Sequence, residues 1–179
     1  MSAILPPAER LWWKHPLDRV EGAWIVIALI WCLIMFAMMV GWHVYGKQNL
    51  STETYRTTPE QFTVKAQAFV DKYTVRTETD SKTPVVAPPP GSDVYMIARL
   101  WSFCPILELE KDKTYRLHLT AMDYNHGFSL QHANINIQIV PGYEHVVTVT
   151  PNRAGTYSVV CNEYCGINYH TMVGRIYVK

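Results

Sequence analysis

From Gly22 to Tyr45 the chain carries no Asp, Glu, Lys or Arg, and Ile, Val, Leu, Met, Phe and Trp dominate. A helix over 22–45 spans about 36 Å at ~1.5 Å per residue. That length crosses a ~30 Å hydrocarbon core with some tilt. It exceeds a signal-peptide apolar region, and no small-residue cleavage site follows. After Asp93 the pattern shortens to strands. Thr114–Thr120 alternates, with Tyr115, Leu117 and Leu119 on one face and Arg116 and His118 on the other. Ile135–Val140 alternates too, Pro141-Gly142 turns, and His145–Thr150 follows. Val94–Trp101, Thr156–Val160 and Val173–Val178 complete a set of short strands with regular turn signals, which predicts a β-sandwich or barrel.

Four regions follow: a polar and aromatic lead (1–21), a membrane helix (22–45), a connector (46–92) and a compact β domain (93–179). Within the connector, Phe62–Tyr73 is either a short amphipathic helix after Pro59 or an extended segment. Thr83–Gly91 holds Pro84, Pro88, Pro89 and Pro90, a run expected on the surface and outside any sheet.

Charge sets orientation. Arg10, Lys14 and Arg19 precede the span, and Lys47 alone follows closely. The positive-inside rule places the N-terminus in the cytoplasm and the β domain outside, as a single-pass protein of the plasma or inner membrane. Trp12, Trp13 and Trp24 on one side, and Trp42 and Tyr45 on the other, suit the interfacial belts. The net charge of +1 gives no sign of nucleic-acid binding.

The chemistry concentrates at the end of the chain. Cys161 and Cys165 stand four apart, followed by His170 and Met172. Thiolate and thioether select copper or iron–sulfur, and imidazole suits copper. A structural zinc site would more often use Cys-x2-Cys and needs no methionine. A disulfide between the two cysteines is the competing reading. A further ligand must come from another loop, and Asp123–Phe128, with His126 between Asn125 and Gly127, is the expected source. His118 and His145 fall in strands, as exposed or satisfied sheet residues. His132 is read as a surface residue, His43 as interfacial, and Cys32 and Cys104 as packed thiols. No nucleophile triad, phosphate loop or haem-attachment motif appears, so the chain lacks haem and oxygen chemistry of its own.

Cys161-x-Glu163-x-Cys165 with His170 and Met172, His126 upstream and a membrane helix resemble subunit II of the haem–copper cytochrome oxidases. The resemblance covers most of 22–179. The single helix, Cys-Asn-x-Tyr-Cys-Gly and the ending Gly174–Lys179 look most like the compact B-type members. It implies a mainly β, cupredoxin-like domain anchored by one N-terminal transmembrane helix and holding a dinuclear copper centre, CuA. By resemblance Cys161 and Cys165 bridge the coppers, His126 is one terminal ligand, the Glu163 carbonyl a weak ligand and Met172 the axial one. The family pattern puts its second His where Tyr169 stands here. Either the loop shifts so that His170 reaches copper, which is the expectation carried forward, or Tyr169 takes the slot and the site is altered or holds one copper. Trp101 and Phe103 resemble the family's aromatic electron-entry segment, with core filling as the alternative.

The implied function is electron entry into a terminal oxidase. Electrons come from a c-type cytochrome or small copper protein and pass to haem in catalytic subunit I, where oxygen is reduced and protons are moved. Haem lies only in that partner, and magnesium at the interface with it is a further implied ion. The alternatives are the corresponding subunit of a nitric oxide reductase, a structural subunit with a lost or altered copper site, and a membrane-tethered copper chaperone.

Overall fold

The computed structural model describes residues 16–46 and 52–179. Arg10, Lys14, Trp12, Trp13 and Lys47 lie outside the described residues. The chain divides into two units, Met1–Lys47 and Gln48–Lys179. In the first, α1 runs over Arg19–Tyr45 with no buried residue. It is long and apolar enough to cross a membrane, at a mean hydropathy of 2.7. It begins a turn before Gly22 because Asp18 and Glu21 cap it reciprocally, the Asp18 N–H donating to Glu21 Oε2 at 3.2 Å.

The second unit opens with β1 (Thr52–Arg56), α2 (Pro59–Tyr73), β2 (Thr74–Thr77) and β3 (Pro84–Val86). Next come β4 (Asp93–Arg99), β5 (Ser102–Cys104), β6 (Ile106–Leu109) and β7 (Tyr115–Ala121). The chain ends with β8 (His126–Leu130), β9 (Ile135–Ile139), β10 (Tyr143–Val149), β11 (Gly155–Val160) and β12 (Val173–Val178). Among the described residues these make a five-stranded sheet, β1-β10-β7-β4-β5, and a seven-stranded sheet, β2-β3-β6-β12-β11-β8-β9. Val94, Met96, Leu117 and Leu119 of the first share one core with Leu107, Phe128, Val159 and Ile176 of the second. The fold is mainly β with one N-terminal apolar helix, as the pattern predicts.

Three local expectations change. Within the expected 46–92 connector, the described residues 52–92 contribute strands to both sheets, since β1 pairs with β10 and β3 with β6. Pro84 sits within the seven-stranded sheet, because as the first residue of β3 it needs no ladder N–H there. His126 is the first residue of a strand and not a loop residue. All five residues of β8 are buried, so no polar alternation marks it.

Helix α2 starts at Thr58, whose hydroxyl accepts the Gln61 N–H at 3.3 Å, with Pro59 in the first turn. Its Phe62 and Phe69 meet Tyr95 at ring-centroid distances of 5.6 and 5.8 Å. The helix thus covers the outer face of the five-stranded sheet, which is why His118, on the polar face of β7, is buried.

His145 joins three segments. Its Nε2 accepts the Val140 N–H at 3.4 Å, and its Nδ1 lies 3.3 Å from Thr54 Oγ1, to which the remaining ring N–H donates. Burial holds its pKa below the ordinary 6.5. The unfolded chain therefore takes up a proton as pH falls through that value, while the folded domain resists it. The contribution of His145 is complete above that pH and is lost progressively below it. Thermal melts of the whole chain in detergent, at about pH 7.5 and about pH 5.5, should show a larger drop for the native sequence than for His145→Gln. Equal drops would contradict this account.

Candidate metal centre

The site lies at the sandwich end where β7 and β11 finish and β8 and β12 begin. Cys161 directly follows β11, and its N–H donates to the Met172 carbonyl at 3.1 Å, closing the loop that carries both cysteines. Glycine at 127 lets this loop settle on β8. A Cβ there would stand 2.8 Å from the Asn162 backbone N and 2.9 Å from that of Glu163. Gly174 plays the same part between the sheets, since its Cβ would stand 2.8 Å from Phe103 Cβ.

The ligand atoms of His126, Cys161 and Cys165 lie within 4.8 Å of one another, and all three residues are buried. The two sulfurs are 3.7 Å apart, so no disulfide joins them. Met172 Sδ lies 3.9 Å from Cys165 Sγ, and the Glu163 carbonyl oxygen lies 3.4 Å from Cys161 Sγ. Met172 is fully buried. Five donors of the expected set therefore converge.

One nitrogen of His126 is already engaged. Asp123 Oδ1 lies 2.7 Å from its Nε2, and a carboxylate only accepts, so Nε2 carries the hydrogen. In the neutral ring Nδ1 then carries the lone pair, and it faces Cys161 Sγ at 3.9 Å. A carboxylate behind an imidazole in this way fixes the tautomer and ring plane of a metal ligand. Burial pushes the Asp123 carboxyl up, but the His126 hydrogen bond and the N–H groups of Leu100 and Tyr124 outweigh it and hold the pKa below its ordinary value. From the residue pattern alone Asp123 falls in the predicted loop without a role. Its Asp-x-x-His spacing is the signal that could have found it.

The thiol chemistry fits a soft cation. Burial, and then the neighbouring Cys161, push the Cys165 thiol up to about 11. Two thiolates this close in an apolar pocket need a positive charge between them, and a metal that binds both displaces their protons. Copper suits this set of imidazole, two sulfurs, thioether and carbonyl.

His170 is not brought into the cluster. It is exposed on a 3-10 turn, Tyr169–Thr171, held by Tyr169 N–H to the Gly166 carbonyl at 3.1 Å and Thr171 N–H to the Asn168 carbonyl at 3.0 Å. The Tyr169 ring lies 5.9 Å from that of His170 and 5.4 Å from that of Tyr164. Of the two aromatic residues expected at the entry point, Phe103 is buried against Phe128, whereas Trp101 is 42% exposed. The Trp101 indole lies beside Gly166, the residue after Cys165.

A family model described as the periplasmic domain of cytochrome c oxidase subunit II matches residues 102–178. A cytochrome c oxidase subunit 2 of Thermus thermophilus is 29% identical over 164 residues, 89% of this chain and 91% of that protein. A second Thermus thermophilus protein of the same name is 35% identical over 115 residues, 62% of this chain and 85% of that protein. A chain in the cryo-EM structure of a heme-copper terminal oxidase dimer superposes with a TM-score of 0.58 at 22% identity, over 90% of this chain and all of that one.

Replacing Gly127 by Ala would drive a methyl group into backbone that cannot rotate away. The expected result is a folded domain destabilised by about 1–3 kcal/mol, with copper binding reduced far more than the melting temperature suggests. Copper analysis after dialysis, beside a thermal melt, checks it. Full copper content in the variant would show that the close approach does not shape the site.

Proposed function

The chain belongs to the cytochrome c oxidase subunit 2 family, and from that membership we propose that it is the electron-entry subunit of a haem–copper terminal oxidase. It receives single electrons from a c-type cytochrome or small copper protein and hands them to haem in subunit I, where oxygen is reduced and protons are moved. The convergence of His126, Cys161 and Cys165 in one buried cluster carries this reading.

A dinuclear copper centre would supply reversible one-electron carriage there. Cys161 and Cys165 would hold both ions, His126 one of them through Nδ1, with Met172 and the Glu163 carbonyl as weaker donors. Asp123 keeps the imidazole oriented, and the buried walls exclude water. His170 is proposed as the second terminal nitrogen, which requires the Gly166–Thr171 loop to move. Its exposed position favours one second reading, a site holding a single copper. A magnesium ion at the subunit I interface and a periplasmic domain with a cytoplasmic N-terminus complete the proposal.

Leu100, Trp101, Tyr164 and Ile167 form exposed apolar surface on the loops around the site. Gly46–Lys179 holds thirteen Lys/Arg and twelve Asp/Glu, so net charge offers little steering of a donor. Docking through the apolar rim follows.

Metal analysis and electron paramagnetic resonance of the copper-loaded chain test the centre. Two coppers sharing one unpaired electron are expected, with the signature lost in His170→Ala. One localised copper, unchanged in His170→Ala, would replace the dinuclear reading. In the assembled oxidase, donor turnover should depend only weakly on added salt, and a steep fall in rate would refute apolar docking.

A further inference from the structure

At the end of the sandwich opposite the metal cluster, residues of both sheets line an open cavity of about 290 Å³. Strand β8 begins with His126 at the sulfurs and ends here with Leu130. Strand β12, which follows Met172, brings Ile176 and Val178 to the same place. Leu109 of β6, Ile135 of β9 and Val149 of β10 complete an apolar floor, and all of these side chains are buried. A void of about 10 Å³ behind Leu109, Val149 and Ile176 shows that the core closes loosely at this end.

The rim has a different chemistry. Tyr157 of β11 meets His132 edge to face, with ring centroids 4.7 Å apart at 62°. The Tyr157 hydroxyl donates to the Arg153 carbonyl, which holds its ring in place. His132, Asn134 and Asn152 are exposed, and among the described residues their side chains make no hydrogen bond. They leave donors and acceptors free at the mouth. No Asp, Glu, Lys or Arg lines the cavity. At ~30 Å³ each, roughly ten waters fill 290 Å³, and those against the floor find no polar partner. Apolar surface displaces them favourably. A charged ligand would lose hydration with no opposite charge to meet. A cavity of ~150 Å³ admits one benzene ring, so this one admits about two. The Tyr157–His132 pair offers ring edges and faces that a further aromatic ring extends.

We propose that this cavity binds a small uncharged aromatic alcohol of up to two rings. The rings lie on the apolar floor, and the hydroxyl meets the polar groups of His132, Asn134 and Asn152. The bound molecule touches β10 of the five-stranded sheet and β6, β8, β9 and β12 of the seven-stranded one. It therefore ties the two sheets together at the end remote from the sulfurs. The site rests neither on the copper centre nor on electron transfer.

The test adds 2-naphthol to the nitrogen-15-labelled full chain in detergent. Saturable amide shifts are expected at Leu130, Ala133, Ile135 and Val149, with those of Cys161 and Cys165 unmoved. Ala133 is exposed on the 3-10 turn at the mouth, so Ala133→Trp covers the opening without entering the core. That variant should keep the native melting temperature and lose the saturable shifts. The anion 2-naphthoate, with the same rings, should bind by about tenfold or more weakly. If Ala133→Trp fails to fold, the 2-naphthoate comparison decides. Absence of saturable shifts at the cavity would overturn the proposal. So would equal affinity in Ala133→Trp, which would place the ligand elsewhere, or equal affinity for 2-naphthoate, which would remove the preference for a neutral molecule. Cavity amides that follow detergent concentration and ignore 2-naphthol would assign the space to an alkyl chain and also overturn it.

Discussion

The close approach of the cysteine loop to the start of β8 is the constraint on which the site depends. Only a residue without a side chain at 127 lets the Asn162 and Glu163 backbone lie against that strand. This contact brings His126, from the middle of the domain, to two cysteines near its end. Gly174 allows the matching approach from the other sheet, where Phe103 fills the space. The sandwich thus determines where five donors meet before any ion arrives, and the cost of gathering two thiols and an imidazole is met by strand pairing and core burial.

Much of this was legible in residue pattern. The apolar run of α1 shows in its length, and the alternation of β9 reflects one-sided burial, which leaves a periodic trace. The Cys161–Cys165 spacing and the upstream His126 identify chemistry that few other uses explain. The rest was hidden for physical reasons. His118 sits on the polar side of an alternating strand, and its burial comes from α2, more than forty residues earlier in the chain. Strands β1 to β3 are only three to five residues long, β1 and β2 are exposed throughout, and their pairing depends on distant partners such as Tyr143 for Arg56. Strand β8 has no period because both of its faces are covered. The placement of His170 depends on the fold of a short turn, which spacing from Cys165 does not encode.

Carboxylates hold both buried imidazoles in different ways. Asp123 holds Nε2 of His126 and leaves Nδ1 toward the sulfurs, whereas His118 lies between two carboxylates, Glu144 at Nδ1 and Asp93 at Nε2. The single acid at His126 leaves one nitrogen available, and the pair at His118 leaves none. The histidines are therefore distinguished less by their own burial than by the residue behind them.

The pairing of β1 with β10 bears on biosynthesis. Arg56 pairs opposite Tyr143, about ninety positions downstream. At a synthesis rate of roughly 5–20 residues per second, that partner emerges on the order of 5–20 seconds after Arg56. During this interval the first strand has no mate in its own sheet, and the cysteine loop has not yet been made. Maturation thus runs in order, with the apolar helix α1 made before the sandwich closes, and the thiols reaching their places late.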